Sequence, residues 1–265
     1  MQYADIVHRC FRCGYCKFTS DYRDVNCPSY QKYRFESYSP GGRMWLINAW
    51  LNEEITWTEH LAEIVYSCTT CKNCVEKCVF KFKDYLVDII VAAREKMVEQ
   101  GQVPPAARDY FKSLQLYGNP YKISPGAGSR WAKDTGLGKY AGEEYLLYAG
   151  SVGSYDERGQ QAAAALGRLL VQAGVPAGFL EEETCDGSEA KALGESYLFT
   201  FLAEQNINHF KEAGVRKIVA LSPHSYNIMK TEYPKLGGSF TVLHYTQLLW
   251  ELLQSKAIVP AQLPV

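Results

Sequence analysis

Residues 10–16 read CFRCGYC and residues 68–78 read CTTCKNCVEKC, and these two stretches decide the fold of the N-terminal part of the chain. Each contains three cysteines separated by two residues, and a fourth cysteine completes each block. The blocks comprise Cys10, Cys13, Cys16 and Cys27, and then Cys68, Cys71, Cys74 and Cys78. Three thiolates on one tight loop plus a fourth from outside it are typical of a cubic iron–sulfur cluster. The spacing therefore predicts two [4Fe–4S] clusters and an electron carrier.

Structural zinc and a disulfide framework are the alternative interpretations of these cysteines. Zinc sites of this kind use four ligands, usually as two C-x2-C pairs, so a third cysteine at the same spacing is surplus in both blocks. Disulfides need an oxidising compartment. Residues 1–9 contain Asp5 and His8 and lack the apolar stretch of a signal peptide. Clusters are the favoured hypothesis, zinc follows, and disulfides come last.

Charge and hydropathy restrict the partners and the compartment. The chain has 28 basic and 29 acidic residues mixed along its length, so no basic surface for a nucleic acid is expected. The longest apolar runs, such as residues 86–93, are much shorter than the ~20 residues that span a bilayer. Reduced cysteines and no export signal predict a cytoplasmic protein of an anaerobic cell, either free or peripheral to a membrane complex.

The chain divides into three regions by composition and periodicity. They are an α-helical ferredoxin domain over residues 1–112, a Gly/Pro-rich linker over 113–142 and an α/β domain over 143–265. Apolar residues at helical spacing predict helices over 58–66, immediately before the second cysteine block, and over 84–100. The linker contains six glycines and two prolines and no long apolar period.

The region after residue 142 alternates between strand and helix patterns. Strands are predicted over 145–149, 177–180, 216–221 and 240–243. Helices are predicted from Asp156 to residue 173, and over 189–213, 224–232 and 246–255. Buried strands joined by helical connections predict a parallel α/β layer. The fold class is therefore multidomain α+β, with the helical two-cluster domain first and the α/β domain second.

Three stretches of the C-terminal region carry a resemblance to a known family. They are AGSVGSYDERGQ at 149–160, EEETCDGSEAKALGE at 181–195 and ALSPHSYNIMKTEYP at 220–234. With the ferredoxin half, they resemble the D-type subunit of heterodisulfide reductase and the wider group of iron–sulfur oxidoreductases with a cysteine-rich CCG domain. The resemblance covers nearly the whole chain. In catalytic members, the CCG domain is expected to hold an unusual iron–sulfur cluster at which a disulfide is reduced.

The chain departs from the family motif at that cluster site. The family has a cysteine after the first strand, then Cys-Cys-Gly, then Cys-Pro-x-Cys. The corresponding positions here are Ser151, Cys185-Asp186-Gly187 and Ser222-Pro223-His224-Ser225. Serine oxygen is a poor substitute for a soft thiolate at an iron–sulfur site. The resemblance therefore implies a degenerate CCG domain without a cluster, and leaves open a metal or redox role for Cys185 with Asp186 or His224.

The resemblance to two-cluster ferredoxins also implies crossed ligation, in which the fourth cysteine of each block binds the other block's cluster. The first cluster is then bound by Cys10, Cys13, Cys16 and Cys78, and the second by Cys68, Cys71, Cys74 and Cys27. Pro28 follows Cys27 as the family pattern requires, whereas Val79 replaces the proline expected after Cys78. That replacement removes no ligand.

The leading functional hypothesis is an electron-transfer subunit of an anaerobic oxidoreductase complex. It relays electrons between a flavoprotein or another cluster chain and a catalytic subunit, and no catalytic residue is assigned to it. One alternative is a catalytic heterodisulfide (thiol–disulfide) reductase subunit, which the loss of four of the five family ligands disfavours. Another is a redox sensor or structural subunit whose clusters stabilise the fold and its assembly.

Overall fold

The computed structural model describes residues 1–260 of the 265-residue chain. These residues form two compact units. Unit 1 comprises Met1–Asp109 together with Glu189–Ser196, and unit 2 comprises Tyr110–Ser188 and residues 197–260. The C-terminal half of the chain therefore contributes one short segment to unit 1.

Unit 1 is built from short helices and loops. Its first five α-helices are α1 (Pro28–Tyr33), α2 (Pro40–Leu51), α3 (Glu59–Tyr66), α4 (Asn73–Lys77) and α5 (Leu86–Glu99). Helix α6 (Pro105–Tyr117) contains the boundary between the units. Within Met1–Asp109, strand-type pairing is limited to the isolated bridge between Phe18 and Val25. The helices predicted over 58–66 and 84–100 are present as α3 and α5.

Side-chain caps define where α2 and α3 begin. The Ser39 hydroxyl accepts a hydrogen bond from the Gly42 N–H at 3.0 Å, and the Thr58 hydroxyl accepts one from the Leu61 N–H at 3.0 Å. Each cap satisfies a donor that the first helical turn leaves unpaired. The fully buried core of unit 1 then comes from one face each of α2, α3 and α5, with Met44, Ile47, Val65, Ile89 and Met97 at its centre.

Unit 2 contains a five-stranded parallel sheet. Its strands are β1 (Gly138–Lys139), β2 (Tyr145–Tyr148), β3 (Ala177–Phe179), β4 (Lys217–Ala220) and β5 (Thr241–His244), in the spatial order β1-β3-β2-β4-β5. The parallel α/β layer predicted from the sequence is confirmed. Because the chain leaves β2 toward β3 on one side and later places β4 on the other, the carboxyl end of β2 is the topological switch point of the sheet.

Helices connect and cover these strands. They are α7 (Gly150–Tyr155), α8 (Glu157–Gln172), α10 (Ser196–Glu212), α11 (Pro223–Thr231) and α12 (Tyr245–Gln254). The Asp156 carboxylate caps α8 by accepting a hydrogen bond from the Gly159 N–H at 2.9 Å. Across residues 1–260, we find no helix whose length and apolar character would let it cross a membrane.

The prediction of a single helix over residues 189–213 is wrong. The chain forms two helices there, α9 (Ser188–Ala192) and α10, with Gly194 between them. Gly194 has a φ of +88°, and a Cβ at this position would lie 2.6 Å from the backbone carbonyl carbon of Arg94. Only glycine adopts this conformation at so close an approach without strain. The break directs the Glu189–Ser196 segment into unit 1.

Residues 113–142, which the composition predicts as a linker, lie in unit 2 and contribute to its structure. Strand β1 falls within this stretch and pairs with β3. Trp131 and Leu137 are buried in the core of unit 2, where the Trp131 ring packs edge-on against Phe179 at 5.6 Å between ring centroids.

Gly42, in the first turn of α2, packs closely against neighbouring backbone in unit 1. A Cβ there would lie 1.9 Å from the carbonyl oxygen of Glu36, and backbone atoms cannot yield as a flexible side chain can. We expect Gly42→Ala to lower the free energy of unfolding by about 1–3 kcal/mol, as other overpacking substitutions do. The measurement is the urea midpoint followed by circular dichroism. Gly126→Ala, which meets nothing within 4 Å, is the control. Equal midpoints for the two variants would contradict this packing.

Candidate metal centres

Two cavities in unit 1 are each lined by four cysteines. The cysteines of cavity 1 are Cys10, Cys13, Cys16 and Cys78. Those of cavity 2 are Cys27, Cys68, Cys71 and Cys74. The structure thus brings all eight cysteines of the two sequence blocks to two sites. Each site takes three cysteines from one block and one from the other.

The two cysteine loops share left-handed backbone conformations at two matching positions. Arg12 and Gly14 have φ values of 52° and 79°, and the matching positions in the second loop, Thr70 and Lys72, have φ values of 52° and 62°. These left-handed residues turn successive N–H groups toward the concave side of a loop. The Thr70 N–H lies 3.4 Å from the Cys68 sulfur, in the direction that stabilises a thiolate.

A reciprocal pair of amides holds the two blocks together. The Asn26 side chain donates to the Asn73 carbonyl oxygen at 3.3 Å, and the Asn73 side chain donates to the Asn26 carbonyl oxygen at 3.0 Å. Asn26 directly precedes Cys27, and Asn73 directly precedes Cys74. This exchange fixes the position of Cys27 relative to the second loop.

The first turn of α2 contributes to both cavities. Gly41 lines cavity 1, and its N–H is hydrogen-bonded to the Cys16 sulfur. Pro40 and Arg43 line cavity 2. A Cβ on Gly41 would lie in van der Waals contact with the Cys10 sulfur, at 3.8 Å. Glycine here leaves the space beside the thiols open to a bound group.

Burial raises the pKa of the thiols at the base of each cavity. It is the main reason that the pKa of Cys16 rises to about 12, with the charge of neighbouring Cys10 adding to the effect. The pKa of Cys74 rises to about 12 for the same reasons, and Cys16 is among the groups that raise it, so the two cavities adjoin. Thiols this basic become ligands only when a metal displaces their protons. Each cavity has the soft sulfur donors, their number and the backbone N–H groups that suit an iron–sulfur cluster.

Comparison with known families agrees with this chemistry. Residues 6–82 match the family described as a 4Fe-4S dicluster domain, and residues 150–230 match the family described as a cysteine-rich domain, CCG. The chain is a CCG-domain iron–sulfur protein. Its dicluster region carries two [4Fe–4S] clusters, and the fold consists of a ferredoxin-like iron–sulfur domain followed by a CCG domain. Which cysteine binds which cluster stays a prediction.

Three relatives of this CCG-domain protein are named as oxidoreductases or as a reductase subunit. It is 34% identical to the EtfAB:quinone oxidoreductase of Syntrophomonas wolfei over 76% of the chain and 29% of that protein. It is 34% identical to the probable iron-sulfur-binding oxidoreductase FadF of Bacillus subtilis over 75% of the chain and 30% of that protein. It is 27% identical to the D-type subunit of the dihydromethanophenazine:CoB--CoM heterodisulfide reductase of Methanosarcina mazei over 76% of the chain and 50% of that protein. No solved structure matches it.

These relatives are longer than the chain. The matched region spans half or less of each of them. The activities in their names therefore belong to proteins with further regions.

The CCG domain places its degenerate motif at the switch point of the sheet. Ser222, after β4, caps α11 by accepting a hydrogen bond from the His224 N–H at 3.2 Å, and the side chain of His224 is exposed. Ser225 donates a hydrogen bond to the Asp186 carboxylate at 2.5 Å. Cys185 is 3% exposed. Ser222 and Ser225, which stand at cysteine positions of the family motif, thus form hydrogen bonds within the protein. Ser222 caps a helix, and Ser225 binds Asp186.

Sequence reasoning missed a buried carboxylate at the same edge of the sheet. Glu183 accepts hydrogen bonds from the N–H groups of Ala149 and Gly150, at 3.1 and 3.0 Å, where α7 begins. Burial raises the pKa of Glu183 to about 8 despite these two donors, which act in the opposite direction. Glu183 is the last of three consecutive glutamates, and nothing in that run distinguishes a buried glutamate from its exposed neighbours.

A hydrogen-bonded network surrounds Cys185 and Asp186. The Tyr148 hydroxyl donates to the Thr184 carbonyl oxygen at 2.6 Å, and the Tyr233 hydroxyl donates to the Asp186 carbonyl oxygen at 3.2 Å. The Asn206 amide donates to the Cys185 carbonyl oxygen at 2.9 Å. Since eight of the nine cysteines lie in unit 1, unit 2 has a single cysteine thiol, that of Cys185. The residues of this site do not fit an iron–sulfur cluster.

Crossed ligation is testable at Cys78. We expect Cys78→Ala to destroy the cluster held by Cys10, Cys13 and Cys16 and to leave the other largely intact, so that iron falls by about half from about eight atoms per chain. Cys27→Ala is the matched variant for the other cluster. The measurement is iron analysis together with EPR of the reduced protein. Loss of the Cys68–Cys74 cluster alone in Cys78→Ala would show that the ligation is not crossed.

The degenerate site in unit 2 gives a second prediction. We expect Cys185→Ser to leave iron content and cluster EPR signals unchanged, because one thiol among oxygen donors does not hold a cluster. Cys74→Ser, which changes a cysteine of cavity 2, is the control that should disturb one cluster. A loss of iron in Cys185→Ser comparable to that in Cys74→Ser would disprove the interpretation.

Proposed function

We propose that the chain is an electron-transfer subunit of a larger oxidoreductase complex. It passes electrons one at a time between a flavin-containing partner and a second redox partner, through two [4Fe–4S] clusters in cavities 1 and 2. The observation that carries the proposal is the pair of adjoining four-cysteine cavities with the first turn of α2 contributing to both. Adjacent clusters are the arrangement that a relay needs.

Both cavities reach the protein surface. Cys13 of cavity 1 and Cys71 of cavity 2 are exposed. Exposed apolar side chains accompany cavity 1, because Phe11 is 75% exposed and Val79 is 69% exposed. The Phe11 ring contacts Phe80 at 5.5 Å between ring centroids. Exposed aromatic and aliphatic groups of this kind are typical of the centre of a protein–protein contact, so we assign a partner to this face.

The flavin partner follows from electron counting. Each [4Fe–4S] cluster exchanges one electron, whereas organic donors commonly deliver a hydride, which carries two. A flavin accepts hydride and releases single electrons, so a flavoprotein on one side would couple such a donor to the clusters of cavities 1 and 2. The name of the Syntrophomonas wolfei relative, which pairs EtfAB with quinone, supports a position between two redox partners.

The catalytic alternative, thiol–disulfide reduction, has less support. It requires a cluster in the CCG domain, where oxygen atoms of Ser151, Ser222 and Ser225 stand at cysteine positions of the family motif. The Asp186 carboxylate accepts hydrogen bonds from the Ser225 hydroxyl and the Ser188 N–H. We therefore assign the chemistry on organic substrates to partner proteins.

The proposal is tested with the purified native complex and with the chain alone. We expect about eight irons per chain, two magnetically interacting [4Fe–4S] signals on reduction, and reversible reduction by the complex's reduced flavoprotein as fast as complex turnover. The measurement combines iron analysis, EPR and stopped-flow absorbance. A Cys78→Ala complex, expected to lack the cavity 1 cluster, should retain flavin reduction but lose electron passage.

Three outcomes would contradict this function. About twelve irons, or a paramagnetic centre in the oxidised protein, would favour the catalytic alternative. Clusters that do not reduce during turnover would favour a sensor or structural subunit. A native protein that is monomeric and reduces small disulfides by itself would exclude the relay.

A further inference from the structure

Two arginines of unit 1 are completely buried. Arg43 on α2 and Arg94 on α5 are each 1% exposed. Arginine remains protonated in proteins, so both side chains bring a full positive charge into the interior. An ionised group in a medium of low polarity is strongly unfavourable unless an opposite charge compensates it.

Among the described residues, Arg43 donates its hydrogen bonds to neutral groups. Its guanidinium donates to the carbonyl oxygens of Ile64 and Tyr38, both at 2.7 Å, and to the hydroxyls of Ser29 and Ser67 at 2.9 and 2.6 Å. Such contacts satisfy the N–H donors and position the group. They do not neutralise its charge.

Arg94 also donates hydrogen bonds to neutral carbonyl oxygens. One terminal nitrogen donates to the Ala192 carbonyl oxygen at 2.5 Å, and the other donates to a cluster of carbonyl oxygens, those of Val65, Tyr66 and Cys68, at 3.0, 3.2 and 2.5 Å. Its Nε has no hydrogen-bond partner among the described residues. Arg94 therefore fixes the start of the second cysteine loop while its own charge stays uncompensated.

A third buried cation in the same unit shows the contrast. Lys17 is buried and forms an ion pair with the carboxylate of Glu36. Within residues 1–260, no carboxylate forms an ion pair with Arg43 or Arg94. Among the described residues, the carboxylates thus leave the charges of Arg43 and Arg94 unpaired.

A negatively charged group bound in cavity 2 would lie near both arginines. Arg43 lines the cavity together with its four cysteines, and Val87 and Ile90 line it from α5. Arg94 lies one helical turn beyond Ile90, on the same face of α5, and holds the carbonyl of Cys68. A [4Fe–4S] core with four thiolates is an anion, because the thiolate charges outweigh that of the core, and reduction adds one more negative charge.

Cavity 1 has no unpaired equivalent, because the buried cation next to its Gly14, Lys17, is paired with Glu36. The charged residue in its lining is Arg12, which is exposed and stacks on the Trp45 ring at 4.0 Å. Water and salt screen an exposed charge, whereas a buried one acts through the less polar interior. Fixed positive charge is thus concentrated beside cavity 2.

We propose that Arg43 and Arg94 are the buried counter-charges of the cluster in cavity 2, and that they make it the electron acceptor of the pair. The net charge around a cluster is one of the factors that set its reduction potential, and two nearby cations favour the more negative, reduced form. One electron then passes from the reduced cluster of cavity 1, which is oxidised, to the cluster of cavity 2, which is reduced, with no proton transferred. The inference rests on the two-cluster part of the proposed function, and does not depend on the identity of either partner.

The test is a potentiometric titration of the full-length holoprotein, monitored by EPR, for Arg43→Gln and Arg94→Gln. The cavity 2 signal is identified by its loss in Cys71→Ala. At a fixed ambient potential, we expect the ratio of reduced to oxidised cavity 2 cluster to fall at least about tenfold, about 59 mV for a one-electron couple. The cavity 1 cluster should shift by much less.

Matched variants separate charge from position. Lys72 also lines cavity 2 but is exposed, so Lys72→Gln should change the potential little, and that change should shrink further at high salt. Arg43→Lys and Arg94→Lys retain the charge and should keep the potential near that of the unchanged protein, or retain the cavity 2 cluster where the glutamine variants lose it.

Two results would overturn the inference. Equal shifts for both clusters, or equal effects of the lysine and glutamine variants, would show that the arginines act through structure and not through charge. These readouts need no partner protein. Failure of flavoprotein reduction would therefore reject the proposed relay while leaving the potentials to decide the role of the arginines.

Discussion

Each cavity of unit 1 takes three cysteines from one loop and its fourth from the other block, and this exchange is the constraint on which the unit depends. The exchanged residues lie at helix ends, since Cys27 immediately precedes α1 and Cys78 immediately follows α4. The reciprocal amide contacts of Asn26 and Asn73 bring the two blocks into register. A cluster bound by such residues closes a long loop of chain, and it stabilises the fold as well as carrying charge.

Buried charged side chains have different roles in the two units. In unit 1, Arg94 donates to the carbonyl oxygen of Cys68, and Arg43 donates to the hydroxyls of Ser29 and Ser67, so these buried cations order the chain next to Cys27 and Cys68. In unit 2, the buried acids are satisfied internally: Glu183 by the start of α7, and Asp186 by Ser225. Such a satisfied network is compatible with a stable domain that has no cofactor.

The features that the sequence predicted are those that depend on residues close together in the chain. Cysteine spacing and apolar periodicity involve neighbours in the chain, so they predicted the metal chemistry, α3, α5 and the parallel strands of unit 2. The burial of Arg94 was not predictable, because its partners lie on α3, on the second cysteine loop and near residue 192. The break at Gly194 was missed for the same reason, since the close approach of Arg94 requires glycine there. The packing of Trp131 within a glycine-rich stretch also has no local signature.

The discontinuity of unit 1 bears on how this protein can be dissected. The chain enters unit 1 a second time at Glu189 and leaves after Ser196, so three chain connections join the units. This insert accepts hydrogen bonds from Arg94 at Ala192 and from Tyr66 at Leu193, at 2.5 and 3.1 Å. A fragment that ended near Asp109 would leave these donors facing solvent beside the second cysteine loop. The minimal autonomous iron–sulfur module therefore cannot be a simple N-terminal piece; it needs the 189–196 insert, and an excised module would have to be rejoined by an artificial connection.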